Sequence, residues 1–191
     1  MKFESERLIL REWEERDRIP FAEMSSDPFV MKYFPSILTR EESDRFIAKV
    51  ENHFQKFGYG LWVLETKRNR EFIGFTGFMN VGFSSFFTPA VEIGWRLHSS
   101  FWNYGYATEA ANACLRYGFS TLKLPEIVSF TSVLNEKSRS VMERIGLKEI
   151  GFFSHPNLPK DHILCKHVLY RISGSEWPDI ERKSTRSLDF R

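Results

Sequence analysis

The stretch SSFWNYGYATEAANACLRYGF at residues 99–119 sets one glycine between two tyrosines and follows it with a run poor in bulk. Aromatic residues lead up to Gly105. Ala107, Thr108, Ala110, Ala111 and Ala113 come next, with the charge of Glu109 among them. A strand ending near Leu97, a tight glycine loop and a helix starting near Tyr106 make an anion site. The N–H groups of a first helical turn have no partner within the helix, and the helix dipole adds partial positive charge there. Glycine lets the main chain come close to a phosphate. The same spacing also suits a plain loop with an alanine packing face, and spacing alone leaves both readings open. Two familiar phosphate motifs are excluded. No G-x-x-x-x-G-K-[ST] string occurs, and NYGYAT offers only one glycine of a G-x-G-x-x-G fingerprint.

Other reactive residue types give weaker patterns. The 5 histidines show no H-E-x-x-H spacing. Cys165 and His167 share one strand face, but two ligands do not make a zinc site, so no metal is expected. Cys114 and Cys165 are far apart and lack a C-x-x-C pattern, which argues against a disulfide framework and fits a reducing cytoplasm. The net charge of +2 gives no electrostatic case for nucleic acid. The basic tail segment ERKSTR (181–186) is a weak exception. The N-terminal MKFESERLIL lacks an apolar run of signal-peptide length. Phe72 to Val91 carries no charge over the length of a membrane helix, yet it contains Gly74, Gly77, Asn80, Gly82, Ser84, Ser85 and Pro89. That mixture reads as strand, loop and strand.

These residues need a frame. The chain has 191 residues, 42% hydrophobic and 27% charged, which suits one soluble domain with a proper core. RLILREW (7–13) is a short β-like run, and a weak helix covers about Asp17 to Ser25. TREESDRFIAKVENHFQKFG (39–58) is the cleanest helix: Thr39 and Glu42 form a capping box. Phe46, Ile47, Val50, Phe54 and Phe57 make an apolar stripe, and Gly58 stands at the C-cap. Runs at 59–66 and 71–81, joined by a polar turn, predict an antiparallel hairpin. Further strands are expected at 90–97 and 126–133, then a helix at 135–147 with Asn135 as N-cap, then two closing strands. The strand–helix–strand unit at 90–133 makes its strands parallel neighbours. The expectation is an α/β fold with a mixed, mostly antiparallel sheet of about seven strands, helices on both faces, one domain at 1–173 and a polar tail at 174–191.

EIGWRLHSSFWNYGYATEA resembles the central motif of the GNAT superfamily of N-acetyltransferases, in the branch similar to the ribosomal-protein N-terminal acetyltransferases (RimJ/RimL-like). Trp102 to Ala107 fall on that family's [QR]-x-x-G-x-[GA] loop. NEKSRSVMERIGLKEIG falls on its N-x-x-S/A helix, and the segments at 6–30 and 155–172 also look typical. The resemblance implies a GNAT fold and transfer of acetyl from acetyl-CoA to a primary amine, either a protein N-terminus or a small molecule. It implies a pyrophosphate cradle from Asn103, Tyr104, Gly105, Tyr106, Ala107 and Thr108. The pantetheine arm would then pair with the strand around Gly94, Trp95, Arg96 and Leu97 and touch Asn135. Trp102 stands where Gln or Arg is usual and Tyr104 where a basic residue is common, so phosphate binding rests on backbone N–H groups, with Lys137 or Arg139 as possible help.

Catalytic roles follow from the resemblance. A Lys amine of pKa about 10.4 is almost wholly protonated at pH 7, whereas an α-amino group near 7.7–8.0 is roughly a tenth neutral. Glu92, on the strand beside the acetyl site, is the candidate base, and an exposed or paired strand residue is the alternative. Many relatives protonate the leaving thiolate with a Tyr whose position here is Met142. Ser138 is the replacement, or else it serves its own helix. Phe83, Phe86 and Phe87 serve a core, a dimer contact or an acceptor pocket. A non-catalytic acyl-CoA-binding or sensor domain is the rival function. The expected protein is cytoplasmic, a monomer or homodimer, without nucleic acid, membrane or metal partners.

Overall fold

The computed structural model describes residues 2–178 and 180. The strands are β1 (Lys2–Glu4), β2 (Leu8–Arg11), β3 (Leu61–Thr66), β4 (Phe72–Asn80), β5 (Val91–Leu97), β6 (Glu126–Ser132), β7 (Lys148–Ser154) and β8 (Lys166–Ser173). The helices are α1 (Arg18–Ser26), α2 (Arg40–Phe57), α3 (Tyr106–Ser120) and α4 (Glu136–Arg144), with 3-10 turns at Glu15–Asp17 and Ser99–Phe101. Two units divide the described residues. The first runs up to Met79 and includes Ile93–Cys114, and the second holds Asn80–Glu92 and the chain from Leu115 on.

In the first unit β1, β2, β3 and β4 form an antiparallel ladder, with Phe3 opposite Leu10, Leu10 opposite Leu64 and Val63 opposite Phe75. Helix α2 forms where its sequence says. Glu42 N–H donates to Thr39 Oγ1, Thr39 N–H donates back to Glu42 Oε2, and Gly58 closes the helix in the left-handed conformation at φ 75°. The apolar stripe of α2 meets the sheet: Phe46 lies 5.4 Å from Phe75, and Phe54 lies 5.4 Å from Trp62. Phe21 of α1 stacks on Phe46 at 5.1 Å. Ala110, Ala111, Ala113 and Cys114 of α3 are buried, as the small-residue run predicts. Gly74, at φ +139°, lets β4 lie against β5, since a Cβ there would sit 2.1 Å from the Arg96 carbonyl oxygen.

The first unit also holds an ionic cluster in which Arg11, Asp17 and Glu65 are buried. Arg11 donates from Nη1 and Nη2 to the two oxygens of Asp17 at 2.7 and 2.8 Å, and from Nε to Glu65 at 2.9 Å. Arg16 and Arg70 close on the same Glu65 carboxylate. The paired carboxylates hold the Arg11 guanidinium charged and push its pKa upward against its own burial.

In the second unit β6 pairs antiparallel with β8, and β8 with β7; Phe130 stands opposite Leu169, and Phe153 opposite His167. Glu92 pairs in parallel with Val128, so the sheet is mixed. Tyr170 of β8 donates from its hydroxyl to Glu143 of α4 at 3.0 Å.

Two details add to the expected fold. There are eight strands among the described residues, not about seven, because β1 forms from three residues, too few to show a period. The segment after residue 173 is also less purely polar than it reads: Trp177 is buried, with its ring 5.6 Å from Phe119. The segment ERKSTR lies outside the described residues. Phe72 to Val91 is strand, loop and strand, and among the described residues no helix is long and apolar enough to cross a membrane. Cys114 and Cys165 are free and buried.

Candidate functional site

The loop from His98 to Gly105 is held at several points. Trp102 donates from its indole N–H to the Leu97 carbonyl at 2.9 Å, which fixes the loop to the end of β5. This is what a tryptophan does at a position where a cationic side chain is expected. Ser99 donates to Asp27 Oδ2 at 2.9 Å. Backbone N–H donation from Phe29, helped by Ser99, holds the Asp27 carboxyl below its ordinary pKa. Asn103 at φ 68° and Gly105 at φ 81° are both left-handed, on either side of the exposed Tyr104. Such alternation turns successive N–H groups toward one concavity, a geometry that suits anions.

Helix α3 starts directly after this concavity. Its first hydrogen bond runs from the Glu109 N–H to the Gly105 carbonyl at 3.0 Å, so the N–H groups of Gly105, Tyr106, Ala107 and Thr108 precede the helical ladder. A Cβ on Gly105 would meet only Arg7 Nη2 at 3.6 Å, so the demand for glycine is conformational and not steric. The loop and the helix start thus fit a phosphate group by backbone geometry.

A cation does reach this loop, from a residue that the motif did not indicate. Arg7, just before β2, donates to the Tyr104 carbonyl at 3.0 Å, pairs with Glu109 at 2.6 Å, and lies 4.4 Å over the Tyr106 ring. Glu109 also accepts from the Ser5 hydroxyl and the Arg7 N–H. The charge in the alanine run therefore ties the chain's start to α3. In the second unit Arg139 donates to the Val133 carbonyl at 3.4 Å and lies 3.6 Å from Glu149.

On β5, Gly94 accepts at its carbonyl from Thr76 Oγ1 at 3.0 Å, Trp95 is half-buried, and Leu97 is buried. Arg96 is the unexpected member. It is 8% exposed and has no carboxylate partner among the described residues. One Nη1 donor reaches Ser25 Oγ at 3.2 Å, while its Nε is buried without a hydrogen bond. The guanidinium instead faces the rings of Phe34, Phe75 and Phe46 at 4.2, 5.4 and 5.6 Å. Each such contact contributes about 0.5–2 kcal/mol, whereas desolvating an ion costs several kcal/mol. Burial lowers the Arg96 pKa to about 10.

The second unit positions the remaining candidates. Glu92 is half-buried on β5, opposite Val128. Asn135 caps α4 by accepting the Ser138 N–H at 3.3 Å, and its amide donates to Thr131 at 3.0 Å. Asn135 and Ser138 are thus brought together by the cap. Met142, at the usual tyrosine position, is 2% exposed and belongs to the core of its helix. Phe83 and Phe87 join Phe130, Phe153, His155 and His167 in one aromatic cluster, while Phe86 is exposed. Burial lowers the pKa of both histidines, and His167 donates from Nδ1–H to the Cys165 carbonyl at 3.1 Å.

A cleft of about 390 Å³ in the first unit is lined by Arg11, Arg16, Arg70, Phe72, His98 and Phe101 among others. Its arginines are already engaged by Asp17 and Glu65.

Residues 7–148 match the Acetyltransferase (GNAT) domain. The chain is 33% identical over 180 residues to the uncharacterised N-acetyltransferase YnaD of Bacillus subtilis, covering 93% of this chain and 99% of that protein. It is 33% identical to an Aspergillus fumigatus FsC-acetyl coenzyme A-N(2)-transacetylase, covering 87% of this chain and 74% of that one. A GNAT-family acetyltransferase structure from Bacillus anthracis superposes with a TM-score of 0.77 at 31% identity, covering 92% of this chain and 100% of the other.

Proposed function

The chain belongs to the GNAT acetyltransferase family, and from that premise we propose that it is an N-acetyltransferase that moves acetyl from acetyl-CoA to a primary amine by direct attack in a ternary complex. The observation that carries this reading is the paired left-handed turn at Asn103 and Gly105 opening directly into α3. Its N–H groups, with the helix dipole behind them, suit a pyrophosphate. Arg7 stands beside Tyr104 as an ion pair with Glu109, so phosphate binding rests on the backbone N–H groups. The relative from Aspergillus fumigatus, whose name includes acetyl coenzyme A, supports the choice of donor. Two free, buried cysteines suit a cytoplasmic location.

Acetyl-CoA supplies a thioester carbonyl already open to attack by nitrogen. The β5 backbone at Gly94, Trp95 and Leu97 would line its pantetheine arm. Glu92 takes the proton from the incoming ammonium, so that the nitrogen lone pair becomes available. Ser138 passes a proton to the departing sulfur while taking one from solvent, so that it ends as the neutral hydroxyl. That is a soft demand, because a thiol of pKa about 8.5 leaves tolerably as thiolate. Positioning and stabilisation of the oxyanion carry most of the rate.

Release of free thiol from acetyl-CoA against a panel of amines tests the proposal. Amine-dependent release is expected, with Glu92→Gln lowering kcat/KM most at low pH. Tight CoA binding with no release for any amine would overturn the catalytic reading in favour of an acyl-CoA-binding domain.

A further inference from the structure

Arg96 is a buried cation with an incomplete shell. Its Nε has no hydrogen-bond partner, one Nη1 contact goes to a neutral serine, and no carboxylate answers its charge among the described residues. The rings of Phe34, Phe75 and Phe46 surround it, with centroids 4.2, 5.4 and 5.6 Å from its Cζ, and its Nε donor stays unused. A planar guanidinium bounded by ring faces matches a planar carboxylate bound edge-on through two N–H groups.

The ring nearest the charge is also the most exposed of the three. Phe34 lies 4.2 Å from the guanidinium yet is 36% exposed. It stands between α1 and α2, in a stretch without helix or strand that also exposes Phe29 and Ile37. Phe46 and Phe75 sit on α2 and β4 and are fixed by stacking on Phe21 and on each other. One wall of the cage is therefore a loop side chain, and the other two belong to the core.

We infer that Arg96 is the recognition group for a carboxylate on the acceptor, reached when the Phe34 ring leaves the guanidinium. The acceptor is thus an amine that also carries a carboxylate, with an apolar portion to meet the phenylalanines. The inference rests on the acetyl-transfer reading for the role of this ligand, but not for its binding. β5 carries both Arg96 and the backbone assigned to the pantetheine arm, so a carboxylate held there would fix the acceptor relative to the donor.

Two measurements test it. The first is titration calorimetry with 3-phenylpropanoate, benzoate and hexanoate, each against the alcohol of the same skeleton, on the wild type and on Arg96→Met and Arg96→Lys. Far-ultraviolet circular dichroism confirms that each variant is folded. The acids bind the wild type and the alcohols do not, Arg96→Met loses the acids, and Arg96→Lys retains part of the affinity. The second compares kcat/KM for phenylalanine and 2-phenylethylamine, which differ by the carboxylate. The wild type prefers the former by on the order of 100-fold, and the ratio collapses toward unity in Arg96→Met. Absence of acid binding in the wild type, equal binding in folded Arg96→Met, or an unchanged ratio would overturn the inference. Acid binding that depends on Arg96, with no thiol release for any amine, would leave the carboxylate site standing and overturn only the acetyl-transfer reading.

Discussion

Arg11 and Arg96 are equally deep, at 6% and 8% exposed, and both belong to the first unit. Their surroundings are opposite. Arg11 has two carboxylates and a full set of short hydrogen bonds. Arg96 has a serine and three rings. The pKa of Arg11 is pushed up by its partners, while burial, with no carboxylate to offset it, draws Arg96 down to about 10. A buried charge with its partners built in is framework. A buried charge without them is held ready for a partner that arrives from outside. Depth alone does not distinguish the two cases; the acceptor atoms around the guanidinium do.

The comparison breaks most visibly at Asp17. Asp17→Ala leaves Arg11 buried with half its shell missing, and removal of one member of a buried pair destabilises by about 3–5 kcal/mol. Guanidinium unfolding at neutral pH reads this. Arg96→Met should act differently: it removes an uncompensated charge and one bond to Ser25, so stability stays within about 1 kcal/mol of the wild type or rises. A loss as large as that of Asp17→Ala would make Arg96 framework too and erase the distinction.

The smallest effect extends the same physics to the second unit. Burial lowers the pKa of His155 and His167 below the ordinary 6.5. A base with a depressed folded pKa is held neutral, so its contribution to stability is complete above pH 6.5 and is lost as pH falls through the folded value. His167→Phe keeps a ring against Phe130 and Phe153 and removes this titration. The slope of unfolding free energy below pH 6.5 should flatten, by at most about 1.4 kcal/mol per pH unit for one proton. An unchanged slope would place the acid sensitivity elsewhere.

Legibility in the sequence followed the range of the interactions. Helix α2 was readable because its start, stripe and stop are local: Thr39 with Glu42, the spaced phenylalanines, and Gly58. The loop at Gly105 was readable for the same reason, since a left-handed residue before a helix leaves a glycine in the string. Arg7 was not, because its contact with Tyr104 spans 97 residues and neither end shows a pattern. Arg96 was half legible. Its place on β5 follows from EIGWRL, but its cage comes from Ser25, Phe34, Phe46 and Phe75, which only the fold assembles. The short β1 escaped because three residues carry no period.

The central claim is that the loop closing into α3 holds the phosphates of coenzyme A, and calorimetric titration of CoA into the wild type and Gly105→Val tests it most directly. Gly105 sits at φ +81° with room for a side chain, so valine acts through conformation and not through a clash. Holding a β-branched residue there costs about 1–3 kcal/mol. If the cradle depends on that conformation, CoA affinity falls by roughly 5- to 150-fold while circular dichroism shows the fold intact. Equal affinity in the folded variant would contradict the account and return this stretch to a plain loop before an alanine-rich helix.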